Sequence, residues 1–155
     1  MHTLPRRSFI RTSLFAASSA AITHRGVLAA TGGATPPSET INAAVIGLGW
    51  RGGELLKQIA GVPGVKVTWL VDPDQTLIAK AKEIAPKAKS SQDLRHAIDD
   101  KDVDVVIIAT CNHWHCLAAI WACQAGKDVY VEKPLGHNLI EQRRLIEVAT
   151  KTGRI

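Results

Sequence analysis

At 155 residues, 46% hydrophobic and 21% charged, the chain has a globular composition with room for one domain and its core, and is too short for two large ones. The net charge of +5 points to no polyanionic partner, because Arg6, Arg7, Arg11 and Arg25 face no acid within residues 1–30, and the remainder carries 15 basic against 14 acidic residues. That near-neutral balance excludes nucleic acid as an electrostatically recruited partner.

Residues 1–30 place a basic stretch, PRRSFIRTS, before a weakly apolar run, LFAASSAAIT, and small residues at Ala29 and Ala30. That order describes a bacterial signal peptide. The apolar run is shorter than the roughly 20 residues a membrane-crossing helix needs, so no permanent membrane anchor is expected. Arg6 and Arg7 ahead of Ser8, Phe9 and Ile10 resemble the twin-arginine export signal, which implies the export machinery as a partner, passage in the folded state and a periplasmic or secreted location. Residues 31–40, TGGATPPSET, have the composition of a linker.

From Ile41 strand and helix signals alternate. Strands are expected at 41–46, 65–71, 87–90, 103–109 and 128–131, and helices at 54–60, 74–85, 92–98, 113–125 and 138–152, the last two ending at Gly126 and Gly153. The run VDVVIIA at 103–109 suits a parallel strand buried on both faces. The rhythm predicts an α/β fold, a doubly wound parallel sheet over residues 41–155.

Ligands of such sheets bind beyond the carboxyl ends of the strands. After the first strand, AVIGLGWRGG sets Gly47, Gly49 and Gly52 in the pattern G-x-G-x-x-G, with Trp50 and Arg51 between the last two. The glycines would allow the tight turn, the approach of a pyrophosphate and close helix–strand packing respectively; a bland glycine turn is the alternative. After the second strand comes Asp72, placed to accept hydrogen bonds from an adenosine ribose or, alternatively or as well, to cap the following helix. With Pro73 and Asp74 following it and no arginine, NAD is favoured over NADP. The fourth strand is followed by Thr110, Cys111, Asn112, His113 and His115, and the fifth by Glu132, Lys133 and Pro134.

Cys116 and Cys123 read as small buried hydrophobes on one helix face. Cys111, His113 and His115 lack C-x-x-C and H-x-x-x-H spacing, so no metal site is assigned. Three cysteines suggest no disulfide framework.

VIGLGWRG at 45–52, TCNHWH at 110–115 and EKP at 132–134 together resemble the Gfo/Idh/MocA family of oxidoreductases, over essentially all of residues 41–155. The resemblance implies NAD as cofactor, a small carbohydrate or polyol as substrate, and a second, larger α/β domain that binds it. That domain is absent from this sequence, which stops where a sixth strand should start. It implies a catalytic Lys133 beside the nicotinamide, with Glu132 on the same side and Thr110, Asn112 and His115 next to the cofactor, although Cys111 stands where the family has proline. Read without the family, Lys133 could be a loop cation, and Trp114 could stack on a ligand or pack in the core. Two other readings stand beside hydride transfer: NAD-dependent glycoside cleavage, and a fragment that only binds the nucleotide. The 155 residues alone are expected to be inactive, and homo-oligomers of the full-length protein are left open.

Overall fold

The computed structural model describes residues 40–155, so the expectations for the export signal and for the linker up to residue 39 lie outside the described residues. Five strands, β1 (Ile41–Ile46), β2 (Val65–Val71), β3 (Lys89–Ser91), β4 (Val105–Ile108) and β5 (Asp128–Val131), form one sheet in the order β3-β2-β1-β4-β5. Every pairing is parallel. The helices are α1 (Trp50–Ala60), α2 (Gln75–Ile84), α3 (Arg95–Ile98), α4 (Asn112–Gln124) and α5 (Leu139–Thr152). The doubly wound order is the expected one. Because a parallel crossover is right-handed, a chain that winds outward from β1 in both directions puts helices on both faces.

Strand periodicity sorts the core between those faces. Ala44 and Ile46 of β1 join Val106 and Ile108 of β4, and Cys116, Ala119 and Cys123 of α4, in one fully buried cluster. On the opposite face Val45 packs with Leu56 of α1, Leu70 of β2 and Ala81 of α2, while Ala43 meets Leu55 and Ile107. Cys116 and Cys123 are thus core residues, and their burial raises both thiol pKa values.

Several boundaries differ from the sequence reading, three of them for identifiable reasons. Helix α1 starts at Trp50 rather than 54, so it contains Gly52 and Gly53 despite the poor helix propensity of glycine. The helix expected at 92–98 shrinks to α3, because side chains organise the preceding turn: Ser91 Oγ accepts from Asp93 N, and Asp93 Oδ1 accepts from Arg95 N. Strand β4 begins at Val105, since Val103 N is turned back to Asp100 O. At the outer edge, Val129 N donates to Ile155 O at 2.7 Å and Ile155 N to Asp128 Oδ1 at 3.0 Å, which lays the last residue alongside β5.

Candidate functional site

A cleft of about 850 Å³ opens at the carboxyl ends of β1, β2 and β4. Gly47 and Gly49 from the first turn, Asp72 and Pro73 after β2, Thr110, Cys111 and Trp114 after β4, and Trp121 of α4 all line it.

The glycines divide by what requires them. Gly47 has φ +86°, and a Cβ on it would sit 2.6 Å from the Ala109 carbonyl. A Cβ on Gly52 would lie 1.7 Å from the Gly47 carbonyl oxygen, so α1 touches its own entry turn only because this residue is glycine. Nothing lies within 4 Å of a Cβ on Gly49, and its backbone (φ −61°, ψ −167°) is open to any residue. The fold needs the first and third glycines and makes no use of the second. Gly49 also serves as N-cap of α1 without a side-chain cap, so the opening N–H groups of the helix, which have no intrahelical acceptor, face the open space with the positive end of the helix dipole. This arrangement suits a pyrophosphate.

Asp72 is 7% exposed and ties the turn to β2: its Oδ2 accepts from Leu48 N at 2.7 Å and its Oδ1 from Asp74 N at 2.8 Å. Each oxygen keeps a lone pair, so a ribose hydroxyl can still donate to it. The cap of α2 is Asp74 instead, whose Oδ1 accepts from Thr76 N and Thr76 Oγ1, both at 2.7 Å. Those bonds, led by the Thr76 hydroxyl, hold the Asp74 carboxyl below its usual range.

The residues after β3 were passed over in the sequence, although the strand-end rule points to them equally. Gln92, Asp93, Leu94 and Arg95 line the far end of the cleft. Gln92 Nε2 donates to Pro73 O at 2.6 Å and closes that wall. Arg95 is a cation of the kind the sequence around Asp72 lacked, but its guanidinium is held by both oxygens of Asp93, and this hydrogen-bonding takes the Asp93 pKa down to about 2.

Around β4 and β5 several expected site residues meet each other rather than the cleft. His115 is 2% exposed; its Nδ1 lies 2.7 Å from Pro134 O and its Nε2 3.0 Å from Thr110 O. With both ring nitrogens on backbone carbonyls, His115 ties the Thr110 turn to the Lys133 turn and presents no free nitrogen to a cofactor. One residue on, the Cys116 thiol donates to Leu135 O at 3.2 Å. Glu132, 6% exposed, accepts from Arg51 at 2.6 Å, from Tyr130 Oη at 3.3 Å and from Lys133 N at 3.1 Å. The Arg51 hydrogen bond comes first among the causes that hold the Glu132 carboxyl below its ordinary range and raise the Arg51 guanidinium. Lys133 is exposed at the carboxyl end of β5, and its ammonium takes no partner among the described residues. Asn112 opens α4, half-buried, and Trp50 is 85% exposed beside the glycine turn. Trp114 stands 39% exposed in the cleft wall and packs edge-on against Trp121 with centroids 6.3 Å apart.

Residues 41–155 match the model of the Gfo/Idh/MocA oxidoreductase family, NAD-binding Rossmann fold. The chain is similar to an inositol 2-dehydrogenase of Salmonella typhimurium, 36% identical over 117 residues that make up 74% of this chain and 35% of that one. A glycosyl hydrolase family 109 protein of Shewanella putrefaciens is 28% identical over 99% of this chain and 39% of its own length. Among solved structures, GenD2 of gentamicin A biosynthesis, in complex with NAD, superposes with a TM-score of 0.72 at 28% identity, over 84% of this chain and 36% of that one. The chain thus spans little more than a third of the length of these relatives.

Proposed function

Since the chain belongs to the Gfo/Idh/MocA oxidoreductase family, we propose that this protein is an NAD-dependent dehydrogenase of a sugar, polyol or related carbohydrate. The observation that carries the reading is the turn at Gly49: open space over a glycine that the fold does not need, uncapped N–H groups and a carboxylate at the end of β2 together suit a dinucleotide. The similarity to inositol 2-dehydrogenase supports the substrate class.

NAD, when bound, supplies a hydride acceptor. The first turn of α1 binds its pyrophosphate, and Asp72 accepts from its adenosine ribose. Thr110 and Trp114 form the wall beyond β4. Lys133, with an uncommitted ammonium at the carboxyl end of the neighbouring strand, holds a proton at the oxygen borne by the substrate carbon that is oxidised. Incubating the full-length protein with NAD and polyols, myo-inositol first, should produce NADH. In Lys133→Ala, turnover should fall about 100-fold or more, the usual worth of a positioned proton donor or acceptor, with NAD affinity little changed. Near-normal turnover in that variant returns Lys133 to the reading of a loop cation.

The match to the family 109 protein, which extends over nearly the whole chain, favours a second reading. In that reading NAD is reduced and reoxidised within one cycle of glycoside cleavage, so sugar is released with no net NADH.

Arg6 and Arg7 support export of the folded, cofactor-loaded protein by the twin-arginine route. Replacing both with lysine should keep the protein in the cytoplasm, and normal export of that variant would refute this route.

A further inference from the structure

We infer that Arg51 is a positioning residue for Lys133, acting through Glu132, so that the turn holding the cofactor pyrophosphate and the turn carrying the reactive ammonium are set by one ion pair. The inference rests on the role proposed above for Lys133.

A cation in the first turn of a helix opposes the helix dipole, so Arg51 is badly placed unless an anion accompanies it. Glu132 is that anion. It comes from the end of β5, 81 residues away, and lies across β4 from the glycine turn. Arg51 Nε and a terminal guanidinium nitrogen both reach Glu132 Oε1 at 2.6 Å, which leaves Oε2 to accept from the backbone N–H of Lys133 at 3.1 Å. The carboxylate is nearly buried, whereas the guanidinium is 43% exposed. The dinucleotide-binding turn therefore fixes the residue that fixes the backbone of Lys133.

The other side of the same turn is fastened separately. His115 Nδ1 lies on Pro134 O, Cys116 holds Leu135 O, and a Cβ on Gly136 would come within 2.4 Å of Cys116 Sγ. Helix α4 thus grips residues 134–136, and Arg51 through Glu132 grips residue 133. Without the second grip, the ammonium would swing about the first. Glu132, expected to line the nicotinamide side, gives Oε1 to Arg51 and Tyr130 and Oε2 to Lys133 N, so its contacts within the protein lead to the backbone of Lys133.

The test uses the full-length protein and the variants Arg51→Met, Glu132→Gln and Arg51→Lys, with amide hydrogen exchange, NAD calorimetry and turnover of NAD with myo-inositol. Arg51→Met and Glu132→Gln should each speed exchange in the peptide spanning 131–137 and leave that spanning 105–109 unchanged. Each should lower kcat about tenfold or more, with the Kd for NAD within about threefold of wild type. The double variant should be no worse than either single, since both break one contact. Arg51→Lys, which keeps the charge but not the two-nitrogen grip, should recover part of kcat. Unchanged exchange at 131–137, or a loss confined to NAD affinity, overturns the inference; the latter would make Arg51 a phosphate contact. Should Arg51→Met fail to fold, Glu132→Gln carries the same predictions from the other side of the pair. Failure of the role proposed for Lys133 would show differently, as normal turnover in Lys133→Ala with the exchange signature of Arg51→Met intact.

Discussion

One methyl group added at Gly49 or at Gly52 should have opposite consequences, and the contrast tests whether the second glycine serves a ligand. In Gly52→Ala the new Cβ would sit 1.7 Å from the Gly47 carbonyl oxygen and 2.8 Å from its carbon. Both are backbone atoms, and Gly47 is itself pinned by Gly47 N donating to Val71 O at 2.8 Å, so α1 must lift off the turn by more than an ångström. Overpacking of this kind costs about 3 kcal/mol, which for a domain of this size lowers Tm by about 10 °C. In Gly49→Ala the methyl group meets nothing, and the loss is limited to the preference of an N-cap for glycine over alanine, about 1 kcal/mol or less. The same methyl group stands where a pyrophosphate must come within hydrogen-bond distance of the α1 N–H groups. Losing one or two hydrogen bonds to a charged acceptor, about 1.5–3 kcal/mol, weakens NAD binding by about 10- to 100-fold. Scanning calorimetry and NAD titration on both variants provide the assay. Wild-type NAD affinity in Gly49→Ala refutes the cradle, and wild-type stability in Gly52→Ala refutes the packing argument.

Cofactor preference and acid stability follow from other carboxylates. Asp93→Asn should release Arg95 into the adenosine end of the cleft and improve NADP binding relative to NAD by about tenfold, because a free guanidinium favours the added phosphate; an unchanged ratio of the two Kd values would show that Arg95 does not reach it. Asp74, Asp93, Asp100 and Glu132 all titrate below their unfolded values of 3.8 or 4.5, held chiefly by Thr76, Arg95, Lys89 and Arg51 respectively. Their contribution is therefore fully present above pH 4.5 and is lost as the pH falls toward their folded values. Tm measured against pH should be level near neutrality and decline below about pH 4.5; a Tm that holds constant to about pH 3 contradicts this.

Near-neighbour pattern was enough to read the sheet and its helices. The β-branched run at 103–109, the helical spacing of the apolar residues that follow Gly52 and the glycines at 47, 49 and 52 are each legible within a window of a few turns, because burial imposes period 2 or 3.6 locally. The rule that sites lie beyond strand ends then gathered Gly47, Gly49, Asp72 and Thr110 correctly into one cleft. What spacing could not record is which partner each polar group takes once strands distant in sequence become neighbours. The motif assigns Gly49 to a ligand and Gly52 to packing, but only the fold shows that the Gly47 carbonyl is what requires Gly52 and that nothing in the protein requires Gly49. Nor does it show Asp72 bound to Leu48 N across 24 residues, Arg95 neutralised in the cleft by Asp93, or His115 held between Thr110 O and Pro134 O. The pairing of Arg51 with Glu132 exists only because the order β1-β4-β5 brings two turns 81 residues apart to the same end of the sheet. Periodicity is set by each segment's own burial, whereas charge pairing is set by the distance between segments, and that distance is a property of the folded sheet alone.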